Sequence, residues 1–329
     1  VVDDIPAYNY LIDQTSKDYG VFLQSDWAIT NSLTFLSGVR MDQHNLVDAL
    51  VFSPRASLLY KLKQNTQFRV SYGSGFRAPQ AFDTDLHIAF AGGGISRVTL
   101  SPQLEQENSQ SFSASVNYDK PTENWVAGFT LEGFYNRLED AFILQPIGDD
   151  AFGEVFEKRN GDGATVKGIT LELRANYIRK LQIEGGFTLQ ASEFDQPVQY
   201  IDGLPGITEF IRTPNDYVYA IMTYTPSDRW KATVNYVFTG RMKVPHFASD
   251  LNIAEDEIYT TSTFSDLSTK LAYSFPIVKL GNFIECYAGI KNIFNAYQDD
   301  FDFGKNRDSN YIYGPAQPRT FFIGVKIRS

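Results

Sequence analysis

Sulfur is scarce in this chain. Its 329 residues include one cysteine and three methionines. The lone thiol, Cys286, cannot pair within the chain, so a disulfide framework and a cysteine zinc site are both excluded. Thiol scarcity suits an oxidising envelope compartment. Histidine is as thin, at three residues. No nucleophile motif accompanies them, so the residue set of a Ser/His/Asp-type enzyme is missing and the chain reads as no enzyme. Long apolar runs are also lacking: nothing approaches the roughly 20 apolar residues of a membrane-spanning helix. Positive charge is in deficit, with 29 Lys and Arg against 39 Asp and Glu and a net charge of -10. No basic stripe exists to neutralise phosphates, which excludes nucleic acid as a partner. The opening Val1-Val2-Asp3-Asp4-Ile5-Pro6 has the pattern of neither a signal peptide nor an anchor.

Aromatics, by contrast, are abundant, with 26 Phe and 19 Tyr. They fall into a two-residue rhythm. In 110–118, Phe112, Ala114, Val116 and Tyr118 alternate with Ser111, Ser113, Ser115 and Asn117. In 52–62, Ala56, Leu58, Tyr60 and Leu62 alternate with Ser53, Arg55, Ser57 and Lys61. The same alternation recurs along 125–135, 181–192 and 230–239. Period two means a strand with one apolar and one polar face. Many such strands with water-seeking residues on the second face describe a wall between lipid and water.

The pattern predicts thirteen strands, at 19–29, 33–43, 52–62, 67–74, 110–119, 125–137, 166–178, 181–192, 216–225, 230–241, 265–275, 283–292 and 319–328. The faces of 216–225 and 283–292 are ambiguous. Alternate connections are short, and the others, at 44–51, 75–109, 138–165, 193–215, 242–264 and 293–318, are long. Outer-membrane barrels sort their loops this way, with short periplasmic turns and long outer loops, and place aromatic girdles at both interfaces. Tyr60, Tyr118, Trp125, Tyr177, Trp230, Tyr273 and Phe275 cluster at strand ends accordingly. The expected fold is all-β: an antiparallel transmembrane β-barrel in the bacterial outer membrane, with outer-membrane lipid and lipopolysaccharide around it. By parity, residues 1–18 belong to an extracellular loop. Bacterial single-chain barrels have even strand counts, so the odd count predicts further strands upstream. A truncation or a proteolytic cut in an exposed loop would each give such a chain.

Several segments resemble the TonB-dependent outer-membrane receptors. The hairpin 19–42 and Phe52-Ser53-Pro54-Arg55-Ala56-Ser57-Leu58 are two of them. The most specific is Arg69-Val70-Ser71-Tyr72-Gly73-Ser74-Gly75-Phe76-Arg77-Ala78-Pro79, followed at family-like distance by Leu100-Ser101-Pro102-Gln103-Leu104-Glu105. Val166-Lys167-Gly168-Ile169-Thr170-Leu171-Glu172, Ala288-Gly289-Ile290-Lys291-Asn292-Ile293-Phe294-Asn295 and the last strand, Arg319-Thr320-Phe321-Phe322-Ile323-Gly324-Val325, complete the likeness over nearly all of residues 1–329. The resemblance implies a barrel of about 22 strands around a plug, with this chain as its C-terminal thirteen strands. The plug, the upstream strands and the TonB-contacting segment would lie outside the chain. It implies import of a scarce nutrient driven by TonB through the plug: an iron-siderophore complex first, haem or cobalamin next, with no covalent cofactor. A surface lipoprotein is a further partner of such receptors. The alternative is a passive porin-like channel or adhesin barrel without TonB coupling.

The resemblance implies recognition groups in the outer loops. The longest, 75–109, carries Phe76, Arg77, Asp83, Asp85, His87 and Arg97. A histidine between these two motifs resembles the haem-receptor pattern, in which imidazole ligates iron. The chain departs from that pattern at Ser101, where Asn is usual. His246 is a second loop histidine and a weaker ligand candidate, and His44 a third. The runs Asp299-Asp300-Phe301-Asp302 and Glu255-Asp256-Glu257 offer carboxylate oxygens that suit calcium, although their spacing matches no EF-hand and a solvated acidic surface explains them equally. Ala91-Gly92-Gly93-Gly94-Ile95-Ser96 lacks the Lys-Ser/Thr end of a phosphate loop and reads as a loop tip. Arg55, Arg69, Glu132, Glu172, Arg174, Glu184, Lys231 and Lys270 fall on the polar faces of their strands and are expected to point inward.

Overall fold

A computed structural model describes residues 2–6, 10–80, 90–91, 94–95, 97–151, 153–248, 253–277, 282–304, 307–308 and 311–328. The chain opens with a small hairpin, β1 (Val2–Ile5) and β2 (Tyr10–Asp13). Four long strands follow: β3 (Asp18–Ala28), β4 (Leu33–His44), β5 (Val51–Lys63) and β6 (Thr66–Arg77). Three short ones, β7 (Phe90–Ala91), β8 (Gly94–Ile95) and β9 (Arg97–Leu100), precede β10 (Glu107–Pro121) and β11 (Trp125–Glu139). Then come β12 (Phe142–Asp150), β13 (Gly153–Asn160), β14 (Gly163–Tyr177), β15 (Leu181–Val198) and β16 (Ile207–Glu209). The remainder are β17 (Asp216–Ser227), β18 (Trp230–Thr239), β19 (Lys243–His246), β20 (Glu257–Thr260), β21 (Phe264–Ile277), β22 (Asn282–Lys291) and β23 (Thr320–Arg328).

Thirteen of these strands form one antiparallel wall, ordered β3-β4-β5-β6-β10-β11-β14-β15-β17-β18-β21-β22-β23. Every neighbour in the wall is also the next wall strand in sequence, and each corresponds to one of the thirteen strands expected from the alternation. Register converts that alternation into rows. One row reads Leu33, Tyr60, Phe68, Val116, Leu131, Leu171, Phe187, Val218 and Phe238, apolar across nine strands. The row beside it reads Arg69, Ser115, Glu132, Thr170, Thr188, Tyr217 and Thr239. Side chains one residue apart point to opposite faces, so the two rows face opposite ways. The apolar face is bare: Phe321, Ile323, Val325 and Ile327 on β23 are 65–86% exposed. A soluble protein does not leave so large a contiguous apolar surface in water.

The polar face is cross-linked by short hydrogen bonds. Ser57 and Ser71 hydroxyls lie 2.9 Å apart, and Thr170 and Thr188 hydroxyls 3.0 Å. Arg174 donates to Asp119 at 2.8 Å and to Thr130 at 3.0 Å. All eight charged residues expected to point inward share this face by register. Strand β17 explains its ambiguous sequence. Val218, Ala220 and Met222 take the apolar side, whereas Tyr217, Tyr219 and Ile221 take the polar side. Tyr219 lies over Gly186, where a Cβ would collide with its ring, and its hydroxyl reaches Glu172 at 3.4 Å.

The loops differ from their sequence reading in one respect: they are partly sheet. β6 runs through Phe76 and Arg77 because β10 already pairs there, from Glu107 onward. Within 138–165, β12 and β13 form a hairpin, and β9 joins β13 in parallel. β19 pairs β20, and β16 pairs the extended end of β15. Residues 15–17 meet the end of β4, where Asn45 donates to the Thr15 carbonyl at 2.7 Å.

Candidate ligand-recognition rim

The long connections rise from one end of the wall, and three of them are tied into a single body. The loop after β15 turns at Arg212, whose φ of 55° is left-handed. That turn aims the guanidinium at the Ile312 carbonyl in the last loop. Burial pulls the Arg212 pKa down from its usual value. Glu209 on β16 meets Lys243 on β19 at 2.7 Å, and this hydrogen bond holds the Glu209 carboxyl below its usual range.

At the centre of this body stands His246. The residue is 5% exposed. Its Nε2 lies 2.9 Å from Asp302 Oδ1, and its ring stacks on Tyr311 with centroids 3.5 Å apart and planes 7° apart. Asp302 Oδ2 accepts the Asp308 amide, and Asp308 accepts the Phe247 amide. Asp300 Oδ2 takes hydrogen bonds from Tyr311 at 2.9 Å and Tyr313 at 2.7 Å. Burial first, and the Asp300 hydrogen bonds second, raise both phenol pKa values. Gln298, fully buried, donates to the Tyr311 carbonyl and accepts from the amides of Tyr313 and Gly314. The carboxylates of Asp300 and Asp302 are thus spent on loop architecture. Among the described residues no group of three or more His, Cys, Asp and Glu converges on a metal position.

A second cluster closes the loops nearer β6. Glu107 Oε2 accepts the Phe142 amide at 2.9 Å and Arg77 at 3.4 Å. The Arg77 guanidinium and the Lys158 ammonium each lie 4.6 Å from the Phe142 ring centre. Two cations within cation–π range of one aromatic ring hold it in place. Lys158, almost wholly buried, also donates to the Gln80 carbonyl at 3.0 Å.

The residues singled out from sequence therefore separate. Arg77 sits on the polar face beside Glu107. Phe76 pairs opposite Asn108, with the same parity as Val70 and Tyr72, and so lies on the apolar face. Arg97 begins β9 and pairs opposite Val155. His246 joins the buried stack, some loops away from Arg77 in the chain. Asp83, Asp85 and His87 lie outside the described residues. His44 is buried against Ser16 at 2.9 Å.

Sequence reasoning passed over Asn292, Asn295, Gln298, Tyr311, Tyr313 and Arg212. The signal for the two asparagines was available in Asn292-Ile293-Phe294-Asn295, since Asn tolerates left-handed backbone. Their φ values are 50° and 57°. Asn292 accepts the Ala296 amide and donates to the Ala296 and Gln317 carbonyls; Asn295 accepts the Arg319 amide. Together they turn the chain out of β22 and seat the start of β23. On the polar face of the wall, a recess of about 280 Å³ opens among Asn235, Asp266, Lys270, Lys291 and Phe322.

A wall with one lipid-compatible and one wettable face, carrying folded loops on a single rim, is the architecture of an outer-membrane barrel. The family model described as "TonB dependent receptor-like, beta-barrel" matches residues 2–293, and the chain belongs to that family. Members of this family are transport receptors of the bacterial outer membrane, not enzymes. Among solved structures, the siderophore receptor PirA from Acinetobacter baumannii superposes with a TM-score of 0.67 at 16% identity, over 95% of this chain and 46% of that one. The ferric enterobactin receptor PfeA of Pseudomonas aeruginosa, in complex with enterobactin, gives 0.65 at 16% identity, over 95% and 45%. The ferric-catecholate import receptor Fiu of E. coli K12 gives 0.67 at 15% identity, over 95% and 44%. The chain spans less than half the length of these receptors. No curated protein matches it.

Proposed function

We propose that this chain forms the C-terminal part of the barrel of an outer-membrane receptor that binds an iron-siderophore complex at its long-loop rim and imports it with TonB energy. The observation that carries this reading is the joining of a two-faced wall of the TonB-dependent family to a rim of loops folded into fixed, aromatic and acidic clusters. Solved structures of this shape include receptors named for siderophores, ferric enterobactin and ferric catecholates, which favours a ferric siderophore over haem and cobalamin. The apolar face would meet lipid, the polar face would surround the plug, and the short turns would face the periplasm. In this reading Arg77 contacts ligand together with Asp83, Asp85, His87 and Arg97. Phe76 anchors the strand end from which Arg77 projects, and His246 fixes the shape of the neighbouring loops.

The test is uptake by iron-starved cells producing the complete receptor that contains this chain, with and without TonB. Labelled ferric enterobactin, a ferric hydroxamate, haem and cobalamin would be supplied in parallel. Saturable uptake of a ferric siderophore that disappears without TonB is the expected result. Uptake that rises linearly with concentration and ignores TonB would make the barrel a passive channel.

A further inference from the structure

The short-turn rim carries charge of the opposite sign to the chain as a whole. Lys63, Lys120, Arg179, Lys180 and Arg229 lie in or beside the short turns, and all five are exposed. Among the described residues none of them is in a salt bridge. The carboxylates in the same turns are Glu123 and Asp228, while Asp119 is already held by Arg174. The rim is therefore basic on a molecule of net charge -10.

Immediately above these cations runs an aromatic band on the apolar face. Trp125 packs on Tyr177 and Trp230 on Tyr273, each at 4.7 Å between ring centres, and Tyr273 meets Phe275 at 4.5 Å. All three tryptophans of the chain, Trp27 included, lie within a few residues of this rim. Such rings mark the level of the headgroups. A strand advances roughly 3.3 Å per residue. The cations stand one to three residues beyond the band, which places their charges within about 10 Å of it, in the headgroup layer itself. Arg229 is tied to the band directly, donating to the Tyr273 hydroxyl at 3.5 Å.

One turn shows that these cations are held out at a cost. Ile178 and Arg179 both have positive φ, 36° and 59°. A β-branched residue is unfavourable there, and Asn-Gly would be the relaxed choice. The turn nevertheless presents an exposed Ile178 beside Arg179 and Lys180, an apolar and cationic tip suited to an interface of acyl chain and phosphate.

We propose that the short-turn rim is a cationic collar, built beneath the aromatic band, that binds the anionic phosphate headgroups of periplasmic-leaflet phospholipids. This rests on the outer-membrane orientation proposed above. Lipid is favoured over an acidic protein partner because the cations are spread along four successive short turns at headgroup depth and do not converge on one patch.

The test places the intact receptor containing this chain in vesicles doped with brominated phosphatidylglycerol or, at equal mole fraction, brominated phosphatidylcholine. Quenching of tryptophan fluorescence reads which lipid occupies the rim. The expected result is a preference for phosphatidylglycerol of about fivefold, weakened by salt. It should fall to near parity when Lys63, Lys120, Arg179, Lys180 and Arg229 are all replaced by Gln. Replacing only Arg179→Gln and Lys180→Gln, in one surface turn, keeps the wall intact and should remove part of the preference. Added inorganic phosphate should not abolish the preference, because it lacks the acyl anchor. Equal quenching by the two lipids in the native receptor, or a preference that survives all five substitutions, overturns the collar while leaving the orientation standing. Capture of an acidic periplasmic protein without lipid preference overturns it as well. A receptor that fails to float with vesicles overturns collar and orientation together.

Discussion

His246 lies flat against Tyr311, and the same imidazole is hydrogen bonded at 2.9 Å to Asp302, a side chain only 3% exposed. One residue of the β19–β20 hairpin thereby fastens the whole loop between β22 and β23. His246→Ala removes the partner of a buried carboxylate, which costs about 2 kcal/mol or more of local stability. The expected outcome is faster proteolysis within 293–318 while the wall keeps its resistance to unfolding in detergent. His246→Gln, which can still donate to Asp302, should recover part of the protection. Unchanged cleavage in the alanine variant would show that the stack is not the fastening.

Tyr311 and Tyr313 share Asp300, and burial together with that carboxylate raises both phenol pKa values above the ordinary value of about 10. The sign follows from linkage. The folded loop favours the neutral phenols, so their contribution is complete below the unfolded value of about 10 and is lost as pH climbs through the folded values. Ultraviolet titration should show these two tyrosines ionising after the exposed ones, in step with loop opening. Asp300→Asn should bring both back toward the common population.

Asn292 is nearly buried and satisfies three backbone groups at a left-handed turn. Asn292→Ala strands those groups and keeps an unfavourable φ, for a loss of about 2–3 kcal/mol. Asn292→Gly relaxes the backbone but still loses the hydrogen bonds, so it should lie between the two. Thermal unfolding of the barrel in detergent orders the three proteins.

How much of the structure is legible in the sequence depends on which pattern a segment obeys. The wall was legible because each strand is wetted on one face and greased on the other, and the period of two survives single exceptions such as Leu59. β17 was ambiguous because Tyr217, Tyr219 and Ile221 face the lumen side, where Gly186 makes room for a ring. The ends of strands were underestimated at Phe76 and Arg77, where pairing with Glu107–Ser109 continues past the last clear alternation. The sheet of β9, β12 and β13 left no trace, since Phe142-Ile143-Leu144-Gln145-Pro146 does not alternate and a parallel partner comes from a distant segment. His246 was visible as a loop histidine. Its burial was not, because the residues that cover it, Asp302 and Tyr311, are set by tertiary contacts alone.

Phe76 and Arg77 are adjacent in sequence and opposite in space, and that separates their expected phenotypes. Arg77 lies on the polar face with Glu107 and Phe142, so Arg77→Ala should weaken retention of a ferric siderophore, by direct contact and by loosening the β12–β13 hairpin that Glu107 caps. Glu107→Gln keeps a hydrogen bond to the Phe142 amide but gives up the ion pair with Arg77, and should show the milder loosening alone. Phe76 lies on the apolar face in line with Val70 and Tyr72. Phe76→Ala should lower barrel stability in lipid by about 1–2 kcal/mol through lost apolar contact and leave ligand affinity within about twofold, a difference of less than about 0.5 kcal/mol. Binding titrations on the intact receptor, paired with its unfolding midpoint, measure both quantities on each variant. A Phe76→Ala protein of native stability that no longer binds siderophore would put that ring at the ligand instead.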